Sequence, residues 1–205
     1  QGKETVKKWD TYIEKINKDY EANDILMNFV DNHDENSWNG TVTGRLGKGE
    51  EAMTALTYVM PGMPLVYSGN EYGLNHSLKF FEKDSIPKTK GKDWELRAKL
   101  GKLKAENSAL NGGKNKAKYT RIKTDDDVNV LAFVREKDGK KVVYMANFSN
   151  NPINTKVGIT GEYTNYMTGK LMGLNEKQVY TILPFQFSMR SITYGFTKKP
   201  PLANT

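Results

Sequence analysis

The chain has 205 residues, enough for one large domain or two small ones, and its 37% hydrophobic and 27% charged content is globular rather than disordered. There is no cysteine and only two histidines, His33 and His76, which excludes disulfides, thiolate metal sites and a multi-histidine centre. The net charge of +7 resides in the second half: residues 114–205 carry 15 basic and 7 acidic side chains, against 16 and 17 in residues 1–113.

Val6, Trp9, Ile13, Ile16 and Tyr20 recur at spacings of three and four, which predicts one face of an amphipathic helix. Ile25 to Val30 is a short, mostly apolar run suited to a buried parallel strand. Glu50 to Met60 reads as a helix closed by Pro61-Gly62, and Met63 to Tyr67 as the next strand. After a polar, lysine-rich loop, Trp94 to Leu110 is a helix with Leu96, Leu100 and Leu103 on one face, stopped at Asn111-Gly112-Gly113. The order helix, strand, helix, strand, helix is that of parallel β/α units, as in a doubly wound sheet or a (β/α) barrel. Two strands are too few to close a barrel or to make an ordinary open sheet.

Beyond residue 113 the rhythm becomes period two. Strands are predicted at Ala117–Lys123, Val128–Arg135, Lys141–Phe148, Ile153–Val157, Tyr163–Met167 and Val179–Leu183, with a last one near Phe187–Tyr194. Turn signals such as Lys137-Asp138-Gly139 and Asn150-Asn151-Pro152 separate them, and Asp125-Asp126-Asp127 reads as a hairpin turn because it lacks the spacing of a calcium loop. Six or seven short strands so spaced predict an antiparallel β-sandwich. The lysines, among them Lys118, Lys123, Lys156 and Lys170, are scattered over these runs rather than gathered on one element, so a solvated basic surface is expected and no nucleic-acid partner. No run reaches the roughly 18 apolar residues of a membrane span, and Gln1 to Thr5 show no signal-peptide pattern.

The stretch Phe29-Val30-Asp31-Asn32-His33-Asp34-Glu35-Asn36-Ser37-Trp38 carries the chemistry. A strand pattern runs directly into three carboxylates, a histidine, two asparagines and a tryptophan, and in β/α folds functional residues collect at the C-terminal ends of strands. Such a cluster is costly to bury without partners, so it is expected to line a solvated cleft. Asp and Asn making turn hydrogen bonds at a strand end is the competing reading, and the residues alone do not separate the two.

Phe29-Val30-Asp31-Asn32-His33-Asp34 resembles the last sequence motif of glycoside hydrolase family 13, the α-amylase family, which sits at the end of barrel strand seven. Pro61 to Gly73 is similar to the family's strand-eight segment, with Asn70 where glutamine is frequent, and Leu103 to Leu110 resembles its final barrel helix. Asn32 to Trp38 looks especially like the starch-utilisation amylases of gut bacteria. The resemblance covers nearly the whole chain. It implies an α/β plus all-β fold: the C-terminal part of a (β/α)8 barrel over residues 1–113, an antiparallel β-sandwich over 114–196, and a flexible tail over 197–205. It implies a retaining hydrolase that cleaves α-1,4-glucosidic bonds in starch or malto-oligosaccharides, passing through an oxocarbenium-like transition state.

By that resemblance Asp34 is the carboxylate that stabilises the transition state, and His33 donates a hydrogen bond to a hydroxyl of the same sugar. Asn32, Glu35, Trp38 and Tyr72 are further substrate-binding candidates; for Trp38, stacking on a sugar and packing against its loop are both open, and for Tyr72 a rim or structural role stands beside binding. The nucleophile and the acid/base carboxylate belong to strands four and five of the family, in an Arg-x-Asp setting for the nucleophile, and no such motif occurs here. The isolated chain is therefore expected to be inactive. No cofactor is implied for this chain, while calcium stays open for a parent enzyme. The implied partner is an α-glucan, with self-association through the incomplete barrel surface, and a secreted, periplasmic or cell-surface location follows from so large a substrate. The same residues also fit a non-catalytic carbohydrate-binding or scaffolding module, or a transglycosylase or isomerase parent.

Overall fold

A computed structural model describes residues 4–192. The first helix, α1 (Lys7–Asp19), leads to β1 (Met27–Asn28), which runs into α2 (His33–Asn39), α3 (Val42–Leu46) and α4 (Glu50–Val59) before β2 (Met63–Pro64). A long loop containing a 3-10 turn at Asn70–Tyr72 precedes α5 (Lys92–Glu106). Eight strands complete the chain: β3 (Lys118–Arg121), β4 (Val130–Lys137), β5 (Lys140–Asn147), β6 (Ile153–Lys156), β7 (Gly161–Asn165), β8 (Leu171–Leu174), β9 (Val179–Ile182) and β10 (Phe187–Ile192).

β1 and β2 pair in parallel, Met27 opposite Met63, with α4 as their crossover. Each is two residues long, shorter than the runs predicted at 25–30 and 63–67, because each strand has only the other to pair with. Gly62 makes the approach to β2 close: its φ is +113°, and an added Cβ would collide with the Leu26 carbonyl oxygen. One side of this pair is left open, with Ile25, Met27, Phe29 and Met63 all exposed.

In the second half, β3-β4-β5-β10-β7-β8 form one antiparallel sheet and β6-β9 a second. The sheets are thus unequal, six strands over two, and β8 is a strand the sequence reading missed. Strand alternation decides what each face buries. Val130, Ala132, Val143 and Met145 face a core shared with Val157 and Ile182, so the two-stranded sheet covers that side. Leu131, Phe133, Tyr144 and Met189 face the other way, into one cluster with Ala52, Val59, Leu100 and Leu110. The two rhythms of the sequence therefore share a core. The tight β4–β5 hairpin uses Asp138-Gly139, both at positive φ, as a two-residue loop of that twist requires.

Polar bonds reinforce this junction. Tyr144 donates its hydroxyl to the Ala52 carbonyl at 2.8 Å. Arg135, 1% exposed on β4, donates to the carbonyls of Val59 and Asn111 at 3.0 Å and of Ala117 at 3.4 Å. Lys104 of α5 donates to the Gly62 and Leu110 carbonyls, at 2.7 and 2.8 Å. Even α1 belongs to this junction: Trp9 stacks on Phe133 and donates its indole N–H to the Tyr119 hydroxyl at 2.8 Å. The tail expected at 197–205, and the end of the last predicted strand at Thr193-Tyr194, lie outside the described residues.

Candidate functional site

Chain leaving β1 turns at once into α2, a helix not predicted from the sequence. Asn32 has an extended backbone, and its side-chain oxygen accepts the Glu35 N–H at 2.7 Å, the geometry of an N-cap. The cap occupies that oxygen for structure, and it sets His33 and Asp34 in the first helical turn. Both project into solvent, 64% and 62% exposed, with His33 Nε2 and Asp34 Oδ2 3.6 Å apart.

Beneath them lies a buried hub. Asp31, fully buried, accepts from Arg45 Nη2 at 2.6 Å, Asn70 Nδ2 at 3.1 Å and Asn36 Nδ2 at 3.3 Å. Burial pushes its carboxyl above the usual carboxylate range, although the Asn70 hydrogen bond and the Arg45 charge pull the other way. Arg45 also donates to the Val30 and Gly40 carbonyls and to Glu35, so one guanidinium ties the β1 exit to both ends of α2. Asn70 brings in the turn after β2. The cluster therefore does not line solvent as a whole: Asp31 and Asn36 are buried with partners, which removes the cost that made burial improbable.

The remaining candidates separate in space. Glu35 is engaged by Arg45 at 3.3 Å and by Asn39 at 3.2 Å, which makes it part of the scaffold around α2. Trp38, 64% exposed, joins a group of aromatic rings. Its centroid is 5.6 Å from Phe80, which lies 5.9 Å from His33 and 4.8 Å from Phe81. Phe81 is 84% exposed. The Phe80 loop is held to α2 by the Leu78 N–H on Asn36 Oδ1 at 2.7 Å and by the Ser37 hydroxyl on the Leu78 carbonyl. Tyr72 packs elsewhere, stacked on Trp94 at 5.5 Å, with Lys90 over the far ring at 4.3 Å. The structure thus brings His33, Asp34 and Trp38 together, and gives Asn32, Glu35 and Tyr72 other partners.

Sequence reading missed Arg45, Phe80 and Phe81. Two adjacent phenylalanines in a lysine-rich loop were a usable signal; Arg45 had none. Among the described residues no group of three or more His, Asp or Glu side chains is placed to hold a metal ion, and no helix is long and apolar enough to cross a membrane. What the arrangement offers is an exposed carboxylate beside an imidazole, next to an aromatic platform. These can accept and donate hydrogen bonds to hydroxyls while rings cover an apolar face.

No protein-family model matches the chain, and no curated protein matches it. Solved structures do. The noncanonic maltogenic α-amylase AmyB from Thermotoga neapolitana superposes with a TM-score of 0.78 at 17% identity, over 95% of this chain and 47% of that one. An α-amylase from Lactobacillus plantarum gives 0.73 at 16%, over 94% and 44%. The α-amylase of Geobacillus thermoleovorans, complexed with acarbose, gives 0.69 at 14%, over 91% and 43%. The chain shares its fold with α-amylases. It spans less than half the length of each of these three, and at such identities the likeness speaks for fold alone.

Proposed function

We propose that this chain is the C-terminal portion of a retaining α-glucan hydrolase of the α-amylase type, supplying part of its cleft. The observation that carries the reading is the exposed Asp34–His33 pair at the end of β1, beside the Trp38–Phe80–Phe81 platform, in a fold shared with α-amylases. Asp34 stabilises the oxocarbenium-like transition state, since a fixed carboxylate gains more from a positive sugar than from a neutral one. His33 donates to a hydroxyl of that sugar. Trp38 and Phe80 cover its apolar face. Support for a glucan ligand comes from two relatives in fold, one complexed with acarbose and one, AmyP, with maltotriose.

Retaining hydrolysis needs two carboxyl groups about 5–5.5 Å apart, a nucleophile and an acid. Glu35, the other carboxylate of α2, is held by Arg45, which leaves Asp34 without a partner for that chemistry. The nucleophile and acid are thus assigned to segments outside this chain, and a secreted, periplasmic or cell-surface parent acts on starch or malto-oligosaccharides. The engagement of Glu35 also favours a second reading, a non-catalytic carbohydrate-binding module. A cyclomaltodextrin glucanotransferase among the structures of similar fold keeps transglycosylation beside hydrolysis.

Reducing-sugar release from soluble starch, paired with maltoheptaose binding followed by tryptophan fluorescence, tests this. Wild type is expected to bind without hydrolysis, and Asp34→Asn and Trp38→Ala to bind more weakly. Hydrolysis that disappears in Asp34→Asn would show that the chain carries its own carboxylate pair. Absence of any glucan binding would remove the glucan reading altogether.

A further inference from the structure

Phe80 and Phe81 are neighbours in the loop between β2 and α5, yet the fold treats their rings differently. Phe80, 43% exposed, is shared by Trp38 and His33, whose ring centres lie 5.6 and 5.9 Å away. Phe81 is 84% exposed and meets Phe80 edge-on, at 4.8 Å and an interplanar angle of 70°. Trp38 and His33 are inclined to Phe80 by 41° and 32°, so Phe81 is the ring turned most steeply away.

Leaving a phenylalanine in water gives up the stabilisation that burial would supply. Local bonds nevertheless define the loop that presents it. Asp84 closes the turn, accepting the Lys79 N–H at 3.1 Å and the Ser85 N–H at 2.7 Å, with His76 Nε2 3.8 Å away. The Lys79 ammonium pairs with Glu82 at 2.8 Å across the two phenylalanines. Leu78 fastens this turn to α2, its N–H on Asn36 Oδ1 and its carbonyl accepting the Ser37 hydroxyl. Phe81 is thus carried on a closed turn bound to the same helix that holds His33 and Asp34.

A sugar ring stacks on an aromatic side chain through its apolar face, and one flat sugar cannot lie on two rings set at 70° to each other. Trp38 and Phe80 cover one glucosyl unit, which leaves Phe81 oriented for another. Successive units of an α-1,4-glucan are themselves inclined to one another, because the axial linkage winds the chain. A chain crossing Phe80 therefore brings a differently tilted unit to Phe81.

We propose that Phe81 is a specificity-determining residue that receives a second glucosyl unit, so that the α2 site selects α-glucan chains over single sugars. This rests on the glucan reading of α2 and adds to it the length of chain the site takes.

Ligand-detected NMR titrations of the full chain with glucose, maltose, maltotriose and maltoheptaose, which read weak affinities, provide the test. In wild type, affinity should rise with chain length. Phe81→Ala should weaken maltoheptaose about fivefold more than glucose, the worth of one aromatic contact. Phe81→Trp should keep the length preference and Phe81→Leu should lose most of it, since stacking needs a flat ring. The side chain is exposed, so all three variants are expected to fold, and circular dichroism checks this. An equal loss for every sugar in Phe81→Ala, or no loss for any, would overturn this inference and leave the glucan reading standing. Binding of no sugar by wild type would remove the glucan reading itself, and this inference with it.

Discussion

Arg45 and Asp31 show how far one pair can organise a site. Asp31 is fully buried and the Arg45 side chain is only 11% exposed, so removing either partner leaves something uncompensated, but not equally. Arg45→Met strands a buried carboxylate and should cost about 3 kcal/mol, measured by urea unfolding. Asp31→Asn should cost less, because Arg45 keeps Glu35 and two carbonyls as acceptors. A second residue predicts a pH dependence. Burial, helped by the nearby Arg135 charge, lowers the Lys104 ammonium from 10.5 to about 8. Between those values the unfolded chain binds the proton and the native chain does not, so stability attributable to Lys104 rises with pH through that window and is lost as pH falls through about 8. Wild type should therefore gain up to about 3 kcal/mol relative to Lys104→Met between pH 8 and 10.5, in unfolding curves measured at both ends.

Elements depend on neighbours in different degrees. Helix α2 has seven residues and buries only Asn36, so its cap matters more than it would in a long amphipathic helix. Asn32→Ala should cost about 1 kcal/mol and speed amide exchange across residues 33–39, with glucan binding weakened because His33 and Asp34 lose their fixed direction; Asn32→Asp should preserve all three. In α5, by contrast, Leu96, Leu100 and Leu103 are buried as their spacing foretells, since a helix brings positions three and four apart onto one face. The period-two runs behave likewise: alternate residues of β4 and β5 enter the two cores. Strands β1 and β2 are the opposite case. Their sequences are strand-like over five or six residues, yet the paired register covers only two residues of each, bounded by the Met63 N–H on the Leu26 carbonyl and the Leu65 N–H on the Asn28 carbonyl.

At the scale of the whole molecule, the open side of β1–β2 dominates the expected behaviour. Ile25, Met27, Phe29 and Met63 form an exposed apolar surface beside unpaired strand edges, an arrangement that invites another chain. Multi-angle light scattering of the isolated chain should give a mass above that of one copy, and Met63→Lys should shift it toward the monomer. A monomer at all concentrations would mean that this surface tolerates water. The helical half and the six-stranded sheet, by contrast, have closed on each other through Tyr144, Arg135 and Trp9.

By itself the sequence determined what depends on spacing along the chain: the helix faces, the alternating strands, the Asp-Gly hairpin and the polar run after β1. Those follow from the periods of helix and strand, which neighbouring residues already contain. Only the tertiary structure decided which polar residues are spent on scaffolding and which face solvent. Asp31 meets Arg45 and Asn70 across 14 and 39 residues, and Glu35 is taken by Arg45 at ten. Such pairings carry no local signature, because they are fixed by where separate elements pack rather than by any pattern within one of them. That packing, rather than any motif, leaves His33, Asp34 and Trp38 exposed to solvent.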